Sequence, residues 1–162
     1  MRSVAGWLGL SALVIALDQL SKLWISAYFA LGESLYIAPF FNLVRAHNTG
    51  AAFSLFAEGS GWQRWFFSAV ALGASILILY LLRRHASEKL FCFALSLILG
   101  GALGNLIDRL WLGHVVDFIQ LHAAGYYWPA FNVADSAITV GAALLIWGSY
   151  RSPERQPSSG QR

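Results

Sequence analysis

Apolar residues along the chain fall into four long runs, at about residues 7–28, 65–82, 90–108 and 132–150. Each run is close to the roughly 20 residues that a helix needs to cross the hydrocarbon core of a bilayer. The second and fourth runs hold no basic residue and at most one acidic residue, so hydropathy alone predicts spanning helices there. We therefore expect four transmembrane helices.

The segment 31–60 has too little unbroken apolar length to span a membrane. Glycine and proline divide it into short pieces such as SLYIA and FNLVRAH, a pattern that predicts short strands. Strands cannot leave backbone groups unpaired in hydrocarbon, so we expect them to pair at the outer interface, as a platform for an extended peptide. The expected fold class is an all-α membrane protein with minor β structure.

Residues 1–150 are predicted to form a single integral membrane domain, and residues 151–162, rich in Ser, Pro and Gln, a disordered cytoplasmic tail. Basic residues lie before the first helix, in the second connection and in the tail: Arg2, Arg83, Arg84, Lys89, Arg151, Arg155 and Arg162. By the positive-inside rule, both termini should be cytoplasmic. The segments 29–64 and 109–131 should then lie on the outer side.

Composition agrees with a membrane protein, because the 57% of hydrophobic residues exceeds what one soluble core needs and only 12% of the residues are charged. The net charge of +3 comes with these cytoplasmic flanks rather than with a basic stripe, so we expect no nucleic-acid partner. Cys92 is the only cysteine, which excludes an intramolecular disulfide. His47, His114 and His122 match no metal motif, and we expect no metal and no cofactor.

All four aspartates fall toward the outer side: Asp18, Asp108, Asp117 and Asp135. Asn132 can cap the fourth helix, which places Asp135 in the first turn, where the helix dipole favours a negative charge. Taken alone, Asp135 is equally well an ordinary helix-start carboxylate. The position of Asp117 favours a catalytic role for Asp135 over the ordinary one.

Asp117 lies in LGHVVDFIQL, which reads as a short strand or as an extension of the third helix. A tight bundle would bring Asp117 and Asp135 within several ångströms, and two such carboxyl groups would share a proton. A half-protonated pair can activate water and protonate a leaving nitrogen, which is the chemistry of aspartyl proteases. The sequence does not decide which aspartate is ionised, although the helix N-terminus weakly favours Asp135 as the base.

Further charges lie within the apolar runs. Asp18 and Lys22 stand at positions i and i+4, the favourable order for a helical ion pair. Asn105, Asp108 and Arg109 share one face of the third helix, where we expect an ion-pair network that closes the helix. Arg109 could instead bind a lipid or phosphate oxygen.

Gly100 and Gly104 form a small-residue face on the third helix, which predicts close helix packing.

Five blocks occur in order along the chain: DQLSK at 18–22, HNTGAAFS at 47–54, GGALGNLIDR at 100–109, HVVDF at 114–118 and FNVADS at 131–136. Together they closely resemble the lipoprotein signal peptidase (signal peptidase II) family, over about residues 10–150. The resemblance implies an aspartic endopeptidase of the bacterial inner membrane, active near the periplasmic face without metal or cofactor. It would cleave diacylglyceryl-modified prolipoproteins just before the lipidated cysteine.

The resemblance also implies residue roles and partners. Asp117 and Asp135 would be the catalytic pair, with a periplasmic strand platform at 31–60 cradling the substrate. The expected partners besides the prolipoproteins are membrane lipids and globomycin-like cyclic peptide inhibitors. Residues that bind substrate or support the site would be Asp18, Lys22, Asn48, Gly50, Asn105, Asp108, Arg109, Asn132 and Ala134.

Two other functions remain open from the residues alone. Intramembrane carboxylates also mark proton- or ion-coupled transporters, but the four runs show no repeat and the aspartates gather at one surface rather than at the midplane. A structural or assembly subunit would explain Asp18 and Asp108 but leaves Asp117 without a role.

Overall fold

A computed structural model describes residues 4–50 and 61–151 of the chain. The predictions for the end of the platform segment and for the polar tail concern residues 51–60 and 152–162, which lie outside the described residues. The described elements, in chain order, are α1 (Val4–Tyr28), β1 (Ser34–Ala38), β2 (Phe41–Asn48), α2 (Trp62–Arg84), α3 (Lys89–Trp111), β3 (Val115–Ala123), β4 (Tyr126–Tyr127) and α4 (Val133–Arg151).

The four helices of the described ranges match the four predicted apolar runs, and each is long and apolar enough to cross a membrane. In α3, 56% of the most apolar window is buried, against 11% to 22% in the other helices. The reason is that α3 packs against all three of them. The outward faces of α1 and α2 carry exposed side chains such as Leu20, Leu23 and Ile76, which suit contact with lipid.

Small residues on α3 allow its neighbours to approach closely, as the sequence predicted. A Cβ built on Gly100 would lie 2.6 Å from Cβ of Val14 in α1, and one on Gly104 would lie 2.6 Å from Oδ2 of Asp18. Real carbon atoms do not approach so closely. Helix α1 therefore sits against α3 at a distance that only glycine permits at these two positions.

Helix α4 meets α3 in the same manner. A Cβ on Gly141 would lie 2.7 Å from the carbonyl oxygen of Ala94 and 2.7 Å from Cγ1 of Ile98. Gly101 of α3 lies directly against the carbonyl oxygen of Ala134. This second contact brings the start of α4 onto the C-terminal half of α3.

The strands form one antiparallel sheet in the order β1-β2-β3-β4. Strands β1 and β2 coincide with the predicted SLYIA and FNLVRAH pieces, and the ambiguous segment around Asp117 is a strand. The sheet packs on the end of α1 through an apolar cluster of Ile25, Phe29, Val116 and Phe118. The expected fold class is confirmed.

The pairing of β2 with β3 contains a shift of one residue. Leu43 pairs with Ile119, but Ala46 pairs with Asp117, so β2 has one residue more than β3 between these two pairs. Arg45 lies within this shift, and its Nη1 donates hydrogen bonds to the carbonyl oxygens of Ser26 (3.1 Å) and Phe29 (2.8 Å). Arg45 thus satisfies free carbonyl groups at the end of α1.

Substituting the glycine that separates α3 from α4 should weaken the bundle. Gly141→Ala forces a methyl group into Ala94 and Ile98, so we expect a loss of about 1–3 kcal/mol in the free energy of unfolding. The measurement is thermal unfolding in detergent. The matched control is Gly73→Ala in α2, where nothing lies within 4 Å of the added methyl group. Equal stabilities of the two variants would contradict the packing account.

Candidate functional site

Asp117 and Asp135 come from different elements that meet at one end of the bundle. Asp117 is the third residue of β3 and is only 2% exposed. Asp135 is the third residue of α4 and is partly buried. The start of α4 reaches Asp117 because Phe131, just before the helix, pairs with Ile119 of β3.

Asn132 contacts both carboxyl groups. Its Nδ2 donates to Oδ1 of Asp117 at 2.7 Å, while its Oδ1 accepts a hydrogen bond from the backbone N–H of Asp135 at 2.9 Å. Its own backbone N–H donates to Oδ2 of Asp135 at 3.3 Å. Asn132 is therefore the predicted cap of α4, and in the same position it links the two aspartates.

Two further asparagines complete the set of donors. Nδ2 of Asn48 donates to Oδ2 of Asp117 at 3.1 Å, and Nδ2 of Asn105 donates to Oδ1 of Asp135 at 2.8 Å. With the two bonds from Asn132, each of the four carboxylate oxygens accepts one N–H group. Both side chains are thus fixed in orientation by neutral amides.

Asp117 holds its proton unusually tightly. Burial, and then the nearby negative charge of Asp135, raises the pKa of Asp117 from 3.8 to about 7. Hydrogen bonds from Asn48 and Asn132 and the positive charge of Lys22 act in the opposite direction but do not cancel the rise. Near neutral pH a substantial fraction of Asp117 is protonated and able to donate a proton.

A buried ion cluster lies beside this pair, between α1 and α3. Nζ of Lys22 contacts Oδ2 of Asp18 at 2.8 Å, Oδ2 of Asp108 at 2.9 Å and Oδ1 of Asn105 at 2.9 Å. The predicted pair between Asp18 and Lys22 is confirmed.

The prediction of an ion-pair network within the end of α3 is wrong. Asp108 pairs with Lys22 of α1, and Arg109 turns away from it. Nη1 of Arg109 donates to the carbonyl oxygen of Asn105 at 3.4 Å and Nη2 to that of Gly50 at 3.2 Å, with the guanidinium 5.4 Å from the ring centre of Phe67. The cause is helix packing, since the face that holds Asp108 is covered by α1. Arg109 instead links α3 to the segment at Gly50.

Gln19 is a member of the ion cluster that the sequence reasoning missed. Its Nε2 donates to Oδ1 of Asp108 at 2.9 Å and to the carbonyl oxygen of Gly104 at 3.1 Å. The feature of the sequence that points to Gln19 is its position in the DQLSK block, directly after Asp18.

Two of the scattered histidines are neighbours in space. The rings of His47 and His114 stack with centres 3.7 Å apart, because β2 and β3 pair with His47 opposite Val116. Burial lowers the pKa of both rings. Within residues 4–50 and 61–151, no group of three or more His, Cys, Asp or Glu side chains has the arrangement of a metal site.

A family model described as signal peptidase (SPase) II matches residues 10–151. The chain belongs to this family. A lipoprotein signal peptidase of Ralstonia nicotianae is 59% identical over 94% of this chain and 88% of its own length. One of Paraburkholderia phymatum is 56% identical over 92% of this chain and 90% of its own length.

The fold is also similar to a solved bacterial membrane enzyme, determined by the in meso method at 2.3 Å resolution. The TM-score is 0.84 with 31% identity, covering 98% of this chain and 95% of the other. Membership of the signal peptidase II family makes the chain a peptidase. With four apolar helices, it is a multi-pass protein of the bacterial inner membrane. The transporter and the structural subunit are therefore set aside.

The raised pKa of Asp117 should appear in the pH dependence of stability. A carboxyl group whose pKa rises on folding stabilises the fold below its unfolded value of 3.8, and this contribution is lost as the pH rises through about 7. Asp117→Asn removes the titration. The free energy of unfolding of the variant relative to wild type should therefore increase between pH 5 and pH 8, by up to about 3 kcal/mol.

Unfolding measured in detergent at both pH values tests this expectation. The control is Gly73→Ala, which changes no titrating group and adds a methyl group with nothing within 4 Å, so its difference from wild type should stay flat. A flat difference for Asp117→Asn as well would mean that Asp117 ionises normally.

Proposed function

We propose that the chain is an aspartic endopeptidase that removes signal peptides from diacylglyceryl-modified prolipoproteins, cutting just N-terminal to the lipidated cysteine. Asp117 and Asp135 are the catalytic pair. The observation that carries the proposal is the contact of Asn132 with both carboxyl groups, which holds two acidic side chains of different elements at one site. The naming of the relatives as lipoprotein signal peptidases supports the substrate class.

In the first step the two aspartates have different roles. Asp135, at the N-terminus of α4 and bonded by two N–H groups, is the ionised member and takes a proton from water. The resulting hydroxide oxygen attacks the scissile carbonyl carbon. Asp117, with its pKa near 7, donates its proton to the carbonyl oxygen as the tetrahedral intermediate forms.

In the second step the carbon–nitrogen bond breaks. The proton taken up by Asp135 passes to the leaving nitrogen, and the hydroxyl group of the intermediate returns its proton to Asp117 as the carbonyl reforms. The products are the signal peptide with a new carboxyl group and the mature chain with a free amine on its lipidated cysteine. The pair returns to its starting state with one proton.

The place of the site in the bundle suits a lipid-anchored substrate. Arg83 and Arg84 end α2 and Lys89 begins α3, so this connection is assigned to the cytoplasm, together with both termini. The aspartate pair lies at the opposite end of α3, at the periplasmic face. A diacylglyceryl group in the outer leaflet brings the scissile bond to that level.

The other predicted residues surround this pair. Gly50 and Arg109 lie where an extended peptide would run beside the sheet, and membrane lipids contact the apolar outer faces of the helices. Globomycin-like cyclic peptides are expected to bind at the same carboxyl groups and to compete with substrate. The reaction as written uses water and two carboxyl groups and needs no metal or cofactor.

Removing either carboxyl group should abolish cleavage. Asp117→Asn and Asp135→Asn are each expected to lower kcat by at least about 10²-fold, because an amide can neither accept nor return the proton. The assay follows the gel shift of a purified diacylglyceryl prolipoprotein in detergent, with and without a chelator. Chelator should not affect the wild type.

The matched control for the aspartate variants is Glu88→Gln, which changes an exposed carboxylate at the other end of the bundle and should leave turnover intact. Cleavage by folded Asp117→Asn at the rate of wild type would refute the aspartic mechanism. Equal cleavage of an unlipidated precursor would refute the substrate class.

The proposed orientation can be tested with single cysteines in a Cys92→Ala background. A cysteine at Glu33 should react with a membrane-impermeant maleimide added to the periplasm, whereas one at Glu88 should react only after the inner membrane is opened. Both positions are exposed in the fold. The reverse labelling pattern would place the site on the cytoplasmic side.

A further inference from the structure

The cluster of Asp18, Lys22 and Asp108 contains three charges in a place where charges are costly. The lysine side chain is 4% exposed, and the aspartate side chains are 0% and 3% exposed. Charged groups within a spanning helix are expensive even when paired, and an apolar trio could fill the same space between α1 and α3. Within the described residues, the cluster reaches Asp117 and Asp135 through Asn105 and through the backbone N–H groups of Ala134 and Val116.

Each aspartate of the cluster binds the backbone next to a catalytic aspartate. Oδ1 of Asp18 accepts a hydrogen bond from the N–H of Ala134 at 2.9 Å, one residue before Asp135. Oδ2 of Asp108 accepts one from the N–H of Val116 at 3.1 Å, one residue before Asp117. The two carboxylates therefore attach the start of α4 and strand β3 to the same ion cluster.

Lys22 acts on the site through an amide. Its Nζ donates to Oδ1 of Asn105, so the Nδ2 end of that amide must point the other way, where it donates to Asp135. A reversed amide would face the ammonium with its donor end and Asp135 with its oxygen. Both contacts would then be repulsive, so Lys22, together with Nδ2 of Asn132, which donates to the same oxygen at 3.2 Å, fixes which end of Asn105 meets the catalytic carboxylate.

We propose that Asp18, Lys22 and Asp108 form a positioning unit that sets the separation and the hydrogen bonding of the two catalytic carboxyl groups. This inference rests on the proposed function, because it assumes that Asp117 and Asp135 do the chemistry. The three are positioning residues and not catalytic residues, since they act through Ala134, Val116 and Asn105.

Charge gives the unit a second effect that can be measured separately. The ammonium of Lys22 favours the ionised form of Asp117. The other charged groups that bear on the pair are Asp18 from the same cluster and Arg109 from α3. Because Asp117 reacts in its protonated form, loss of the ammonium should move the basic limb of the pH profile of kcat to higher pH.

The main test is the double variant Lys22→Met/Asp108→Asn, which removes one positive and one negative charge together. We expect a folded protein in which kcat falls about 10–100-fold while KM changes by less than about twofold, because misplacement affects the reaction more than binding. The basic limb of kcat should move to higher pH. The readouts are thermal stability, kcat, KM and the pH profile on the lipidated substrate.

A second variant separates geometry from charge. Lys22→Arg keeps a positive charge but cannot repeat the three contacts of one ammonium, so kcat should fall while the basic limb stays at its wild-type pH. The control for lost stability is Gly141→Ala, which weakens helix packing at Ala94 and Ile98, away from the cluster. Its kcat per folded molecule and its pH profile should match the wild type.

The outcomes distinguish this inference from the proposed function. If Asp117→Asn cleaves normally, the proposed function itself fails. If the aspartate variants are inactive but the folded double variant keeps the kcat and the pH profile of wild type, the positioning role is overturned. Should the double variant not fold, Lys22→Arg decides: a lowered kcat at unchanged stability supports the role, and a wild-type kcat overturns it.

Discussion

The polar interior of this bundle depends on one ammonium group that has three acceptors and no access to water. In hydrocarbon, Lys22 can be charged only if protein oxygens replace its hydration, and Asp18, Asp108 and Asn105 supply them. This fixes α1 against α3 in one register, which the glycine at 104 makes geometrically possible. The remaining polar contacts at the end of the bundle that holds Asp117 and Asp135 are built on this pair of helices.

The two aspartates that meet there are held in a way that leaves their chemistry adjustable. A cation in direct contact would fix an aspartate in its ionised form, and two unsupported carboxyl groups would move apart. Asparagine amides avoid both problems, because they orient a carboxyl group without adding charge. Among the described residues, the nearest cations make no direct contact with either carboxyl group. Lys22 reaches the pair through Asn105, and Arg109 donates to carbonyl oxygens.

Much of this could be predicted from the sequence, for physical reasons. A spanning helix must be apolar along its whole length, so four such runs identify four helices, and a cap followed by an acid locates the start of α4. The strand that carries Asp117 was ambiguous, because a short apolar stretch fits a strand or a helix. The sequence predicts a partner for Asp108 within α3, whereas its partner lies in α1. Only packing decides which helix covers a given face. The stacking of His47 on His114 likewise required the strand register.

The extra residue in β2 determines which side chains surround Asp117. In an uninterrupted antiparallel ladder Asp117 would pair with Arg45, and Asn48 would project from the opposite face of the sheet. The extra residue puts the small Ala46 in that place, brings Asn48 to the same face and leaves the guanidinium at the end of α1. If the register of Leu43 with Ile119 continued without the shift, Arg45 would lie opposite Asp117, and a fixed positive charge would replace the neutral amide beside the acid. The register of a strand, and not only the identity of its residues, therefore controls whether this carboxyl group can carry a proton.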